Sequence, residues 1–198
     1  MRMKWILMAI FLTVILFNFP ACNKLENLSE SGSALIVTLI TGLDLEGNAG
    51  STTIFSDVIT TSGGIVNDPA TATLTTVLLD PYQTTSTFYQ DIIVDQVDVE
   101  YSRSDIPNAQ QGVDVPFSFS QNVYARVAVG ETLEMPFVLV QHVAKLESPL
   151  VELINLGQEK VLKMEAKCTF HGKDVAGHRV APVVGHVSVW FSNFADSN

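Results

Sequence analysis

The chain has 198 residues, 47% of them hydrophobic, with 21 acids against 11 bases and a formal net charge of −10. Such an excess of acid sets the surface against nucleic acid and anionic lipid headgroups, whose phosphates recruit bases. Its two cysteines, Cys22 and Cys168, supply no disulfide framework, so a body of this length must rest on an apolar core.

Reading from the N-terminus, Met1-Arg2-Met3-Lys4 carries two bases and no acid, and Trp5 to Phe17 is an almost unbroken apolar run of 13 residues. That is the outline of a secretion signal; the run is short of the roughly 18 apolar residues a spanning helix needs. Residues 1–21 are therefore expected to be removed as a signal peptide. An ordinary signal peptidase wants small side chains at both −3 and −1, and a cut before Cys22 would place bulky Phe19 at −3. Phe19-Pro20-Ala21-Cys22 instead resembles a bacterial lipobox, differing from its commoner form in having Phe19 and Pro20 where Leu and Ala or Ser are usual. The resemblance implies that Cys22 receives a diacylglycerol and becomes the new N-terminus. Stable anchoring takes more than one acyl chain, and a diacyl cysteine meets that condition. Residue 23 is Asn; by similarity to enterobacterial lipoproteins, the lack of Asp there favours the outer membrane.

With Cys22 acylated, Cys168 has no partner in the chain. Removal of residues 1–21 leaves 177 residues, nine bases and 21 acids, a net charge of −12. The acidity is uneven: residues 22–144 hold 15 acids against Lys24, Arg103 and Arg126, whereas residues 145–198 hold six of each sign. Residues 22–33, from Cys22 through "NKLENLSESGS", are polar, without periodicity, and read as the lipidated cysteine and its flexible tether.

From Ala34 the chain reads as short β-type runs between turn signals. Candidate strands are 34–41, 52–60, 71–79, 86–102, 115–119, 122–129, 131–143, 160–171 and 178–191, separated by such breakers as Gly63-Gly64, Asn67-Asp68-Pro69, Asp80-Pro81 and Ile106-Pro107-Asn108. In "VLKMEAKCTFH" the residues Leu162, Met164, Ala166, Cys168 and Phe170 share one face, and Lys163, Glu165, Lys167, Thr169 and His171 the other. Pro136 cannot donate to a ladder, which places its strand at an edge or a bulge. "SPLVELINLG", 148–157, reads as either a strand or one or two helical turns. The loop "GKDVAGHRV" that follows contains Gly172, Asp174, Ala176, Gly177 and His178. It resembles the Gly-x-Asp-x-Ala-Gly-Asn turn joining the last two strands of bacterial immunoglobulin-like domains, with His178 at the usual Asn position. Gly177 suits a positive φ there, and Asp174 can bond its own turn. The expected fold is all-β: an immunoglobulin-like β-sandwich of eight or nine strands over 34–198, with two small sandwiches divided near 107–112 as the alternative.

Candidate sites are few. Cys168 and His171 suggest a nucleophile and base, but their odd separation along a strand sets them on opposite faces, and Cys168 reads as a small buried hydrophobe. His171 and His178 flank the hairpin loop, with His186 on the next strand, a weak transition-metal set without a familiar ligand spacing. Asp91, Asp98, Glu100, Asp105 and Asp114 offer carboxylates for calcium, although Asp95 and Asp98 alternate across the strand and no D-x-D-x-D-G loop occurs; a solvated acidic face is the default reading. No G-x-S-x-G, phosphate loop, zinc cysteine pair or haem-attachment motif is present. Tyr82, Phe88, Tyr89, Tyr101, Tyr124 and Trp190 exceed what one core absorbs, and Trp190, out of phase with Val187, Val189 and Phe191, marks a partner surface or a second core layer. The expected function is a non-enzymatic, cofactor-free binding or structural module of the envelope, held to the membrane through Cys22 and meeting a protein or glycan. A hydrolytic or carbohydrate-active enzyme and a calcium-dependent adhesion module are the alternatives.

Overall fold

The computed structural model describes residues 30–194, with the side chain of Gln158 left aside; the signal peptide, Cys22 and most of the tether lie outside the described residues. Among the described residues, nine strands form two sheets. The four-stranded sheet has the order β2 (Ala49–Ser51), β1 (Ser33–Leu43), β4 (Asp68–Leu78), β7 (Thr132–Val140). The five-stranded sheet has the order β3 (Thr53–Asp57), β9 (Val183–Ser192), β8 (Leu162–Asp174), β5 (Ile92–Ser102), β6 (Phe119–Val127). Every pairing is antiparallel except that of β3 with β9, where Phe55 lies opposite Trp190. The opening stretch thus divides itself between the two sheets, and its second part runs parallel to the last strand. Together with the β1-β4-β7 and β9-β8-β5-β6 orders, this is an immunoglobulin-like sandwich of nine strands.

The switch between sheets occurs at Ser51 to Thr53, where Ser51 Oγ donates to the Thr53 carbonyl and accepts from the Thr53 N–H. The kink precedes β3, which covers Thr53–Asp57 of the strand expected over 52–60. Other boundaries also move: 115–119 makes only an isolated bridge, Gln111 with Val115, before β6 begins at Phe119. Phe88–Gln90 is a 3-10 turn that precedes β5, and 142–159 contains three short 3-10 turns, the helical of the two readings of 148–157.

Alternation drives the packing. Leu162, Met164, Ala166, Cys168 and Phe170 on β8 are buried, as are Val97, Val99 and Tyr101 on β5, Val187, Val189 and Phe191 on β9, and Ala70, Ala72 and Leu74 on β4. The rings of Phe137 on β7 and Phe170 on β8 meet edge to face at 5.6 Å, joining one sheet to the other; burial of such side chains supplies about 1.5 to 3 kcal/mol each. Tyr101 is buried, not exposed, and its hydroxyl donates to the Leu139 carbonyl. Pro136 sits on β7, an edge strand of its sheet, opposite Thr71. Two residues along, the Gln121 side-chain amide of β6 both donates to the Val138 carbonyl and accepts from the Val138 N–H, at 2.6 and 3.0 Å.

Candidate functional site

The outer face of the five-stranded sheet carries Asp98 and Glu100 of the calcium candidates, with Asp95 on the same strand. A β-bulge at Val94 to Gln96 shifts the register against both β6 and β8. One extra residue resets the alternation, so Val94 and Val97 both point inward while Asp95 and Asp98 are both half-exposed. The expectation that Asp95 and Asp98 occupy opposite faces is thereby corrected; strict period-two counting fails across a bulge.

The register then sets each acid beside a base. His171 Nε2 lies 2.7 Å from Asp98 Oδ2, Lys167 Nζ 2.9 Å from Glu100, Lys173 Nζ 3.8 Å from Asp95, and His186 Nδ1 2.9 Å from Glu165. Burial tends to raise the Asp98 carboxyl, but hydrogen bonds from Gln96, Ser120 and His171 outweigh it and hold the group below the usual carboxylate range. The remaining calcium candidates are dispersed. Asp91 is buried, accepts from the Val129 N–H at 3.2 Å and faces Arg126 at 3.8 Å; Asp105 is held by a forked contact from Arg103; Asp114 accepts from the Gln110 N–H at 2.8 Å. Among the described residues, no group of three or more His, Cys, Asp or Glu converges as a metal would need. His171 and His178 likewise have separate partners, Asp98 and Asp174.

Cys168 and His171 do fall on opposite faces. Cys168 is fully buried, and burial pushes its thiol up to about 12, so no thiolate is available as a nucleophile. Trp190 faces outward and is half-covered: Phe55 meets it edge to face at 5.5 Å, and Lys163 Nζ sits 3.9 Å above its ring. Tyr82, Phe88, Tyr89 and Tyr124 are exposed.

The closing hairpin follows the geometry that its residue types suggest. Gly177 has φ +92, and its N–H donates to the Asp174 carbonyl at 2.9 Å. Asp174 Oδ1 accepts from the His178 N–H at 2.8 Å, and Oδ2 lies 3.0 Å from His178 Nδ1. Gly172 has a different task, since a Cβ there would stand 2.5 Å from the Ile93 carbonyl oxygen. Burial works to raise the Asp174 carboxyl, yet the bonds from His178 and Ser31 prevail and lower it. A carboxyl with a folded pKa below its unfolded value stabilises the fold above about pH 4 and loses that contribution as pH falls through the folded value. Asp174→Asn is accordingly expected to cost about 1 to 2 kcal/mol at pH 7 and to flatten the acid limb of a stability curve measured by urea unfolding between pH 2 and 7.

A second polar centre was missed by sequence reasoning. Lys145, in the 3-10 turn His142–Leu146, is fully buried; its Nζ donates to Asp68 Oδ1 at 2.8 Å and to the Asp57 carbonyl at 2.7 Å. Ser56 donates a short bond to the other Asp68 oxygen. Burial raises the Asp68 carboxyl, against the opposing pull of Lys145 and Ser56. The one available signal was the turn "NDPA", whose Asp68 opens β4; nothing distinguishes Lys145 from a surface lysine. Beside this pair lies an open cleft of about 360 Å³ bordered by Leu43, Asp44, Phe55, Asp57, Asp68 and Phe194. Its carboxylates have structural partners: Asp44 accepts twice from Asn48, and Asp57 accepts from the Phe194 N–H. These acids fasten loops, and the walls offer aromatic and aliphatic contact without an aligned acid–base pair.

The geometry therefore assembles paired surface charges, a braced hairpin and a buried ion pair, and brings none of the proposed catalytic or metal-binding sets together. Comparison with family models, with curated proteins and with solved structures returned no match, so the likeness this chain shows is that of its strand order alone.

Proposed function

We propose that the chain is a lipid-anchored envelope protein whose immunoglobulin-like sandwich serves as a binding or structural module, meeting a protein or glycan through its loops, its charged outer face or an edge strand. The observation that carries this reading is the continuity of address and body. The lipobox-like Phe19-Pro20-Ala21-Cys22 is followed by eight residues, Asn23 to Glu30, and the compact unit begins at Ser31. Eight residues reach at most roughly 26 to 29 Å, which keeps a sandwich tied to Cys22 close to the lipid surface. The separate pairing of acids with bases supports a binding face over a hydrolytic site, which requires two carboxylates set at either side of one substrate bond.

The test is metabolic labelling with a fatty acid, combined with intact-mass measurement. The expected product begins at Cys22 and carries a diacylglyceryl group, and Cys22→Ala abolishes both label and mass increment. A labelled-cell extract in which the protein keeps residues 1–21, or begins elsewhere without lipid, overturns the reading.

A further inference from the structure

Of the exposed aromatic residues Tyr82, Phe88, Tyr89, Phe117 and Tyr124, the first three lie together. Leu79, Tyr82, Phe88 and Tyr89 belong to the single connection between β4 and β5, and their exposures are 60%, 91%, 54% and 65%. Exposed apolar side chains concentrated on one loop need a reason, because water disfavours the arrangement.

That connection is held rigidly. Asp80 accepts from the Tyr82 N–H, Gln83 and Gln90 bond each other through their side-chain amides, and Gln90 Oε1 accepts from the Thr87 N–H. The Arg126 guanidinium lies 4.9 Å above the Phe88 ring. The loop thus presents its aromatics as part of a fixed surface, at little further cost in ordering on contact.

Its position is the second observation. The Leu79 N–H donates to the Gly32 carbonyl at 2.9 Å, and the Gln90 side chain packs against Gly32. Ser31, at the start of the folded unit, donates its N–H to the Arg179 carbonyl in the closing hairpin. The two ends of the aromatic loop therefore lie beside Gly32, at the start of the folded unit. Part of the charge there is paired: Asp91 faces Arg126 and Asp95 faces Lys173, with Arg179 exposed beside them, while Asp80 of the loop and Glu30 are exposed acids. Pairing lowers the repulsion that an acidic surface meets at anionic headgroups.

We infer that the Leu79–Gln90 loop is a membrane-contact surface, seating Tyr82, Phe88 and Tyr89 at the headgroup boundary of the bilayer in which the lipidated cysteine is anchored. This rests on the lipid-anchor reading above. Tyrosine and phenylalanine suit that boundary because an apolar ring can enter the acyl margin while a phenolic hydroxyl stays wet. The tether and the rings then act as two attachments, the first fixing the molecule to the plane and the second fixing its orientation. The opposite end of the sandwich, with the 103–118 loop, faces away from the lipid.

The experiment is hydroxyl-radical footprinting of the mature lipidated protein in phosphatidylethanolamine and phosphatidylglycerol vesicles, read by mass spectrometry. The comparison is the mature chain, residues 22–198, without lipid on Cys22, mixed with the same vesicles. Phe117, 55% exposed in the 103–118 loop, is the internal reference. Oxidation of Tyr82, Phe88 and Tyr89 relative to Phe117 is expected to fall severalfold in the lipidated protein, to stay low at high salt, and to be independent of the number of protein molecules per vesicle. With lipid confirmed on Cys22, unchanged oxidation of the three rings overturns the inference and leaves the anchor reading standing. Protection that disappears on dilution of the protein in the membrane assigns the surface to a second copy and also overturns it. An intact mass without lipid on Cys22 overturns the anchor reading itself, and this inference with it.

Discussion

Lys145→Ala is expected to lower the free energy of unfolding by about 3 to 5 kcal/mol, because it strands the Asp68 carboxylate without its charge partner in a mostly buried site. The measurement is a urea or guanidinium titration at pH 7. Lys145→Met removes the charge while keeping most of the volume, and should be nearly as costly, which separates loss of the ion pair from loss of packing. Two further readouts identify the mechanism. Lys145→Met with Asp68→Asn should recover much of the loss, since both charges leave together and the amide can still accept from Ser56. The deficit of the single variant should also shrink on acidification. Burial already raises the Asp68 carboxyl, and removing Lys145 takes away the main opposing pull. An acid with a folded pKa above its unfolded value penalises the fold at every pH above the folded value, and the penalty is relieved as pH falls through it. A deficit that does not shrink as pH falls toward the usual carboxylate range would count against this account. Lys167→Ala serves as the contrasting case: its pair with Glu100 is about half exposed on both sides and is expected to be worth less than about 1 kcal/mol.

The second large effect is expected at Phe170. Its side chain is fully buried and meets Phe137 of the opposing sheet, so Phe170→Ala removes a ring from the layer that holds the two sheets together. The expected loss is about 3 to 5 kcal/mol, with Phe170→Leu costing appreciably less because part of the cavity stays filled. Equal effects of the two substitutions would show that the edge-to-face contact, rather than volume, governs the site. Both measurements are equilibrium unfolding curves, compared at constant slope.

Much of this architecture can be read along β8 because its alternation runs unbroken from Leu162 to Phe170, one strand paired on both sides within its sheet. Pro136 similarly announces an edge through a missing donor, and the Gly172 to His178 turn announces a hairpin through Asp174 and Gly177. Legibility fails where local periodicity is interrupted by tertiary structure. The bulge in β5 reverses the face assigned to the residues after Val94, so Asp95 and Asp98 appear separated in sequence logic and share a face in space. The kink at Ser51 to Thr53 carries the chain from one sheet to the other, a change that Ser51-Thr52-Thr53 does not announce by residue type. Lys145 is the plainest case: its burial depends on Asp68, 77 positions earlier, and on the Asp57 carbonyl, neither of which leaves a mark near "VAKLE". The polar side chains that matter most to the fold are thus the least visible, whereas the aromatic loop was visible in composition but not in place.

The Gln121 amide has a consequence beyond the seam it closes. Held in one plane, as the proposed anchor would hold them, neighbouring sheets would meet edge to edge far more often than in free solution. A sheet propagates through neighbours only while it offers unpaired backbone groups at its rim. On the four-stranded sheet one rim is the three-residue β2. The other is β7, where Pro136 has no N–H and Val138 has both groups occupied by Gln121. Along β7 a neighbouring strand therefore meets no donor at Pro136 and an occupied pair at Val138, which blunts edge-to-edge pairing on that rim.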